Sequence, residues 1–364
     1  MKLRQPSYNK NFKCIGGDCP DTCCRDWSIV PDEDSMADYA NAPEPLRSAI
    51  AAALTHDDDG DPCFALREDG FCALLTEDGL CPIQRDWGEE HLCAHCAAYP
   101  RFTEEYGCLS ETALAVSCPE AARLLMEAED FVLEETEQSG GELFDGIDPV
   151  LFAALEKSRA AVLDILRDPA RPIWRRLLDV TAYADDLQDS IDFGAYETMD
   201  ECEPEQLEGE GKGRLMLTAR LMELCGEFTP LRPAWQELLA QRKDQLWKLK
   251  KTYADTCAKF EKANPKWERH LTNFACYLVF RHWHKTVNDD ALYGRAAMVG
   301  AACLLIYHLC LLEWQERGAL FPMNEAALWS AFSREVEHLE ENLTDFIEAM
   351  FDNESFPLIS ALGE

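Results

Sequence analysis

Positive charge is scarce in this chain: 34 Lys and Arg stand against 68 Asp and Glu, for a formal net charge of −34. Such a surface repels nucleic acid and an anionic membrane face, so neither is an expected partner, and it attracts lysine-bearing ones. No apolar h-region follows Met1; Lys2-Leu3-Arg4-Gln5-Pro6 runs straight into polar residues. A secretory leader is therefore not expected, and a cytoplasmic chain is. Structural disulfides are disfavoured in a reducing compartment, and the cysteine total of 17 is odd. A phosphate- or dinucleotide-binding glycine loop is also lacking, because Glu208-Gly209-Glu210-Gly211-Lys212-Gly213 does not follow a strand pattern and reads as a linker. Strand patterns are sparse and no internal repeat is visible. The apolar run from Ala296 to Leu312 is just short of a membrane span and carries Cys303, His308 and Cys310. It is expected as a buried core helix.

At 364 residues and 47% hydrophobic content, the chain has ample material for a folded core. Residues 1–125 are loop-rich, with short helices expected over Pro45–Leu54 and Cys118–Thr136. Beyond them, amphipathic periods predict helices over Pro149–Arg167, Pro172–Ser190, Gly213–Glu227, Arg232–Ala263, Pro265–Thr286, Asp289–Arg317 and Asn324–Phe351. The expected fold is mainly α: an irregular, cysteine-rich metal-cluster module over residues 1–125, and a helical domain over 126–364 that holds the cofactor and substrate pocket.

Cysteine is what the N-terminal region has in abundance. Eleven of the 17 lie in the first 118 residues, four of them in Cys14-Ile15-Gly16-Gly17-Asp18-Cys19-Pro20-Asp21-Thr22-Cys23-Cys24. Crowded thiolates repel unless a cation stands between them, and metal binding supplies folding energy that a loop-rich region lacks. Cys93-Ala94-His95-Cys96 adds a two-residue gap from which both sulfurs reach one metal. The expected ligands are Cys14, Cys19, Cys23, Cys24, Cys81, Cys93 and Cys96, with Cys72, Cys108 and Cys118 nearby in sequence. Zinc and a [4Fe–4S] cluster each take four thiolates, and spacing does not separate them. Adjacent Cys23 and Cys24 are not expected to share one ion. A radical CxxxCxxC motif is not supported, since Asp26 stands where its third cysteine belongs. Cys202, Cys225, Cys257, Cys276, Cys303 and Cys310, scattered singly, read as core hydrophobes.

Arg269, Asn273, Tyr277 and Arg281 recur every four residues and share one helical face, which suits either a ligand pocket or a solvent face. His282 and His284 do not share a face and are not expected to form a metal site. Pro100 biases Tyr99 toward an extended conformation, from which Arg101 could turn back toward the thiolates.

The opening Lys2–Tyr8, the Phe12–Cys24 segment with Trp27, Leu92–Cys96 with Tyr99-Pro100-Arg101, Ser117–Arg123 and the Asn273-Phe274 helix together resemble the bacterial flagellin lysine-N-methylase family. The N-terminal part is similar to the wider group of CxxCxxCC-type cysteine-cluster proteins. The resemblance implies a cytoplasmic enzyme that moves a methyl group from S-adenosylmethionine to the ε-amine of flagellin lysines, with an iron–sulfur cluster on the cysteines. Within that expectation Tyr277 and Glu268 are candidates for accepting the amine proton, and Arg269, Asn273 and Arg101 for contacting the cofactor. The alternatives are a non-catalytic zinc or iron–sulfur adaptor and a redox sensor built on Cys93 and Cys96.

Overall fold

The computed structural model describes residues 1–57, 59–138, 146–206, 213–352 and 354–363. Most of the linker Glu208–Gly213 therefore lies outside the described residues; Gly213 itself precedes the Arg214–Glu227 helix, with φ +87°.

The chain is mainly α, and its centre is the helix Leu292–Arg317. That helix is long and apolar enough to cross a membrane, yet its apolar window is wholly buried inside the protein. It is enclosed by the helices Ile173–Asp192, Arg214–Glu227, Trp267–His282, Pro322–Phe332 and Glu340–Ala349. Gly294 permits a close approach of the chain around the last of these: a Cβ there would meet Phe351 at 2.6 Å and Ile347 at 2.8 Å. The helix stops at Gly318, whose φ of +75° suits a residue without Cβ. Pro149–Arg167 starts at the N-cap Asp148, whose carboxylate takes the N–H groups of Val150 and Leu151, with Pro149 in the first turn.

Three expected helices are shorter or divided in the structure. Arg232–Ala263 divides into Pro233–Lys248 and Tyr253–Ala263 around the exposed pair Lys250 and Lys251. Asn324–Phe351 divides at a π-turn, Ser333–Glu337, where the Asn342 side chain takes over the Glu335 and Thr229 carbonyls. Cys118–Thr136 stops at Glu127; the chain then extends as the strand Leu133–Glu137.

That strand belongs to a four-stranded sheet the sequence patterns did not indicate, in the order Arg101–Tyr106, Leu109–Leu114, Lys2–Pro6, Leu133–Glu137. Lys2–Pro6 runs parallel to Leu109–Leu114 and antiparallel to Leu133–Glu137, which places Arg4 opposite both Glu111 and Glu135. Buried ion pairs lock the sheet to the helices. Arg4 reaches Glu111 at 2.9 Å and Glu156 at 2.6 Å, and Arg159 grips Glu111 through both terminal nitrogens, at 2.7 and 2.5 Å. Burial alone would raise the Glu111 carboxyl, but Arg159 and then His284 outweigh it and hold it at about 2. Glu111, Glu156 and His284 present clustered donor atoms. The two guanidinium groups already neutralise those carboxylates.

Two hydrophobic cores form. The large one joins Tyr8 and Ala113–Phe131 to the helices. The small one gathers Ile29, Tyr39, Ile50, Phe64, Leu74, Ile83 and Cys93, with Cys72, Cys81 and Cys96 against it.

Candidate metal and cofactor site

A cavity of about 710 Å³ opens where these cores meet, and eight thiols line it: Cys14, Cys19, Cys23, Cys24, Cys72, Cys81, Cys96 and Cys118. Its first wall is the Cys14–Cys24 loop. A tight turn at Gly16–Asp18 begins it; the Gly16 N–H points at the Cys14 sulfur, 3.4 Å away. Gly17 is needed because a Cβ would meet the Asp78 carbonyl at 2.8 Å, and Gly16 adopts φ +54°. The loop is then zipped to the next wall: the Cys24 carbonyl accepts the Cys72 N–H at 2.9 Å, and the Gly70 carbonyl accepts the Asp26 N–H at 2.9 Å. Trp27 donates its indole N–H back to the Cys23 carbonyl, which sets the ring at the cavity rim.

Cys93 is the N-cap of the short helix Ala94–Ala98, which places Cys96 one turn on. Asp32 fixes this turn, accepting the Ala94 N–H at 2.9 Å while capping Glu33–Tyr39 through Ser35. The hydrogen bond from Cys96 lowers the Cys93 thiol below its ordinary value, and Cys24 is lowered in the same way by Cys23. Their partners are pushed up, by that same hydrogen bond first and then by burial. Each pair thus favours one thiolate beside one thiol, the ionisation a soft metal completes. Cys118 enters from the helical side as the N-cap of Pro119–Glu127, and burial raises it to about 11.

The helical body holds the cavity from behind. Asp21, within the cysteine loop, pairs with Arg334 at 2.6 Å and with Arg232 at 2.7 Å. Tyr99 lines the cavity and bonds Ser117 at 3.1 Å, while Arg334 donates to the Ser117 carbonyl at 3.1 Å. Trp27 and Tyr99 face one another at 5.7 Å.

Of the residues expected to be ligands, all but Cys93 line the cavity, and Cys93 is fully buried directly behind Cys96. Cys72 and Cys118 also line it; what marks Cys118 in the sequence is its position before the helix-starting Pro119. Cys63 and Cys108 do not line it. Cys225, Cys276, Cys303 and Cys310 are buried in the large core.

Arg101 lines the cavity, with its guanidinium 5.2 Å over the Phe12 ring. The remaining expected site residues are elsewhere. Glu268 pairs with Arg176 at 2.5 Å and accepts the Ile173 N–H. Arg269 reaches Glu129 at 2.9 Å, and the Asn273 amide donates to the Leu125 and Ala128 carbonyls. Tyr277 is fully buried; its hydroxyl accepts the Val116 N–H at 3.3 Å and an Arg281 N–H at 2.7 Å, and it lies 3.4 Å from Glu337. The shared face of these residues is thus turned toward protein, where it holds the ends of neighbouring elements.

The family sequence model described as "FliB lysine N-methylase C-terminal domain" matches residues 159–363. Curated proteins named lysine-N-methylase, from Salmonella choleraesuis (strain SC-B67) and Salmonella typhimurium (strain LT2), are each 26% identical to the chain. Each of those matches covers 37% of this chain and 35% of the relative. The flagellar biosynthetic protein FliU of Salmonella muenchen is likewise 26% identical, over 37% of this chain and 83% of FliU. The chain therefore spans about a third of the length of the two lysine-N-methylases. No solved structure matches. Arg232 and Arg334, which pin the cysteine loop, both fall within the segment matched by the family model. Because that segment covers more than half of its 364 residues, the chain belongs to the FliB lysine N-methylase family.

Proposed function

We propose that the chain is a protein-lysine N-methyltransferase that moves a methyl group from S-adenosylmethionine to flagellin lysines in the cytoplasm, with an iron–sulfur centre on its N-terminal cysteines. The observation that carries this reading is the cavity in which eight thiols share a space of about 710 Å³ with aromatic and cationic side chains. The names of the Salmonella relatives support the lysine and flagellar parts of it.

The donor set fits a soft metal. Among the described residues, the group of three donors within 4.8 Å of one another is Glu111, Glu156 and His284, not three of the thiols. A single zinc, with Zn–S near 2.3 Å, needs its sulfurs about 3.8 Å apart. The wider array supports a polynuclear cluster. When bound, such a cluster would neutralise the crowded thiolates and order the cavity walls that position the cofactor.

The chain's own side chains supply the rest. Trp27 and Tyr99 offer aromatic faces to an adenine ring, and Lys13 and Arg101 offer cations to a carboxylate. Glu89 and Glu90, exposed at the cavity edge, draw in a lysine ammonium and take its proton or pass it to water. Entry into an apolar cavity lowers the amine's pKa. The amine nitrogen then forms the new bond to the methyl carbon as the carbon–sulfur bond breaks, its electron pair returning to sulfur. Glu268, Arg269, Asn273 and Tyr277 act in this proposal by holding the helices behind the cavity.

The test is incubation of anaerobically purified protein with methyl-labelled S-adenosylmethionine and unmethylated flagellin. Label on lysine is the expected result. No transfer from protein that retains iron and sulfide overturns the proposal. Stoichiometric zinc without sulfide, together with no transfer, would instead favour a zinc-stabilised adaptor.

A further inference from the structure

The cavity holds more thiols than one centre uses. A tetrahedral ion or a [4Fe–4S] cluster takes four thiolates, whereas eight line the space and Cys93 is hydrogen-bonded behind Cys96. The surplus is not scattered. It divides along the boundary between the two hydrophobic cores.

Cys72, Cys81, Cys93 and Cys96 all belong to the small core. The backbone fixes them there: Cys72 pairs with Cys24 through its N–H, Cys81 opens the turn at Ile83–Trp87, and Cys93 caps the helix that carries Cys96. Cys118 belongs instead to the large core, at the head of Pro119–Glu127. Cys14, Cys19 and Cys23 come to it on the loop whose Asp21 is bound by Arg232 and Arg334 of the helical body. Cys24 stands at the junction: its carbonyl accepts the Cys72 N–H at 2.9 Å, while its thiol is hydrogen-bonded to Cys23.

We propose that the cavity carries two thiolate-ligated centres: one held by Cys14, Cys19, Cys23 and Cys118, the other drawn from Cys72, Cys81, Cys93, Cys96 and Cys24. The two centres are soft-metal sites, iron–sulfur or zinc, side by side on two cores that differ in their anchoring. The proposal rests on the reading that these cysteines hold metal, and not on methyl transfer. Simple thiols are the competing account of the surplus; packed against apolar side chains, they would behave as small hydrophobes.

The test measures metal and acid-labile sulfide per chain in the anaerobically purified full-length protein, and in two double variants. The unaltered protein is expected to carry about eight irons with as many sulfides, or about two zincs. Cys14→Ser with Cys118→Ser is expected to remove about half of that load, and Cys72→Ser with Cys81→Ser the complementary half. Far-UV circular dichroism shows whether each variant keeps its helices. A load of one centre in the unaltered protein overturns the inference while leaving the metal reading intact, and needs no variant to fold. Loss of all metal from either well-folded variant also overturns it. A protein that binds no metal at all overturns both.

Discussion

Asp21 meets Arg334 at 2.6 Å, and this contact spans the two ends of the chain. Arg232 occupies the other carboxylate oxygen at 2.7 Å and also pairs with Asp26, so the cysteine loop is bolted to the helical body through these two carboxylates. Both arginines are mostly buried. Asp21→Asn leaves Arg334 short of its charge partner, while Arg232 keeps Asp26, at a cost of about 1–3 kcal/mol. The expected signature is local. Amide exchange in residues 14–24 speeds up and metal is lost more readily to a chelator, while the melting temperature of the helical body changes little.

Glu111 and Arg159 join the sheet to the Pro149–Arg167 helix by two hydrogen bonds in a nearly dry setting. Removing one partner of a buried pair leaves an uncompensated charge, which costs about 3–5 kcal/mol. Glu111→Gln should therefore lower the denaturation midpoint of the whole protein. Loss confined to the sheet would contradict this reading.

The same carboxylate sets an acid limit. Its pKa is held at about 2 in the folded chain against 4.5 as the ordinary value, and Glu156 is lowered too, against the pull of burial, by His284 and Arg4. A depressed carboxylate stabilises above its unfolded pKa, and that contribution fades as pH falls from about 4.5 toward 2. For Glu111 the loss amounts to roughly 3 kcal/mol. Urea midpoints measured across this window should fall with pH, and should fall less steeply in Glu111→Gln. An equal slope in the variant would assign the acid sensitivity to other groups.

Tyr277→Phe removes a buried hydroxyl that accepts the Val116 N–H and an Arg281 N–H. The expected cost is about 1–3 kcal/mol of stability, with the KM for S-adenosylmethionine unchanged. A loss of turnover without a loss of stability would place Tyr277 in the chemistry instead.

Much of the fold is legible in the sequence because it follows from helical periodicity. Pro149–Arg167 has the same bounds in both, and the structure adds the Asp148 cap that starts it. The sheet is not legible. Arg101–Tyr106 and Leu133–Glu137 carry charged residues on strands of which much is exposed, and the partner of Lys2–Pro6 lies more than a hundred residues away. The cysteine module shows itself through density, but its two-core division does not, since that depends on which side of the cavity Cys118 and Cys72 approach from. The Arg269–Asn273–Tyr277 stripe shows the limit of spacing: a shared face is certain from the period, but which neighbour it meets is not.

The proposed site of the methyl donor is the thiol-lined cavity. Equilibrium dialysis of labelled S-adenosylmethionine against anaerobically purified protein tests it most directly, before and after thiol alkylation that strips the metal. The account predicts saturable binding of about one molecule per chain to the intact protein, lost on alkylation while far-UV circular dichroism shows the helices retained. Binding of undiminished affinity after the thiols are blocked would contradict it.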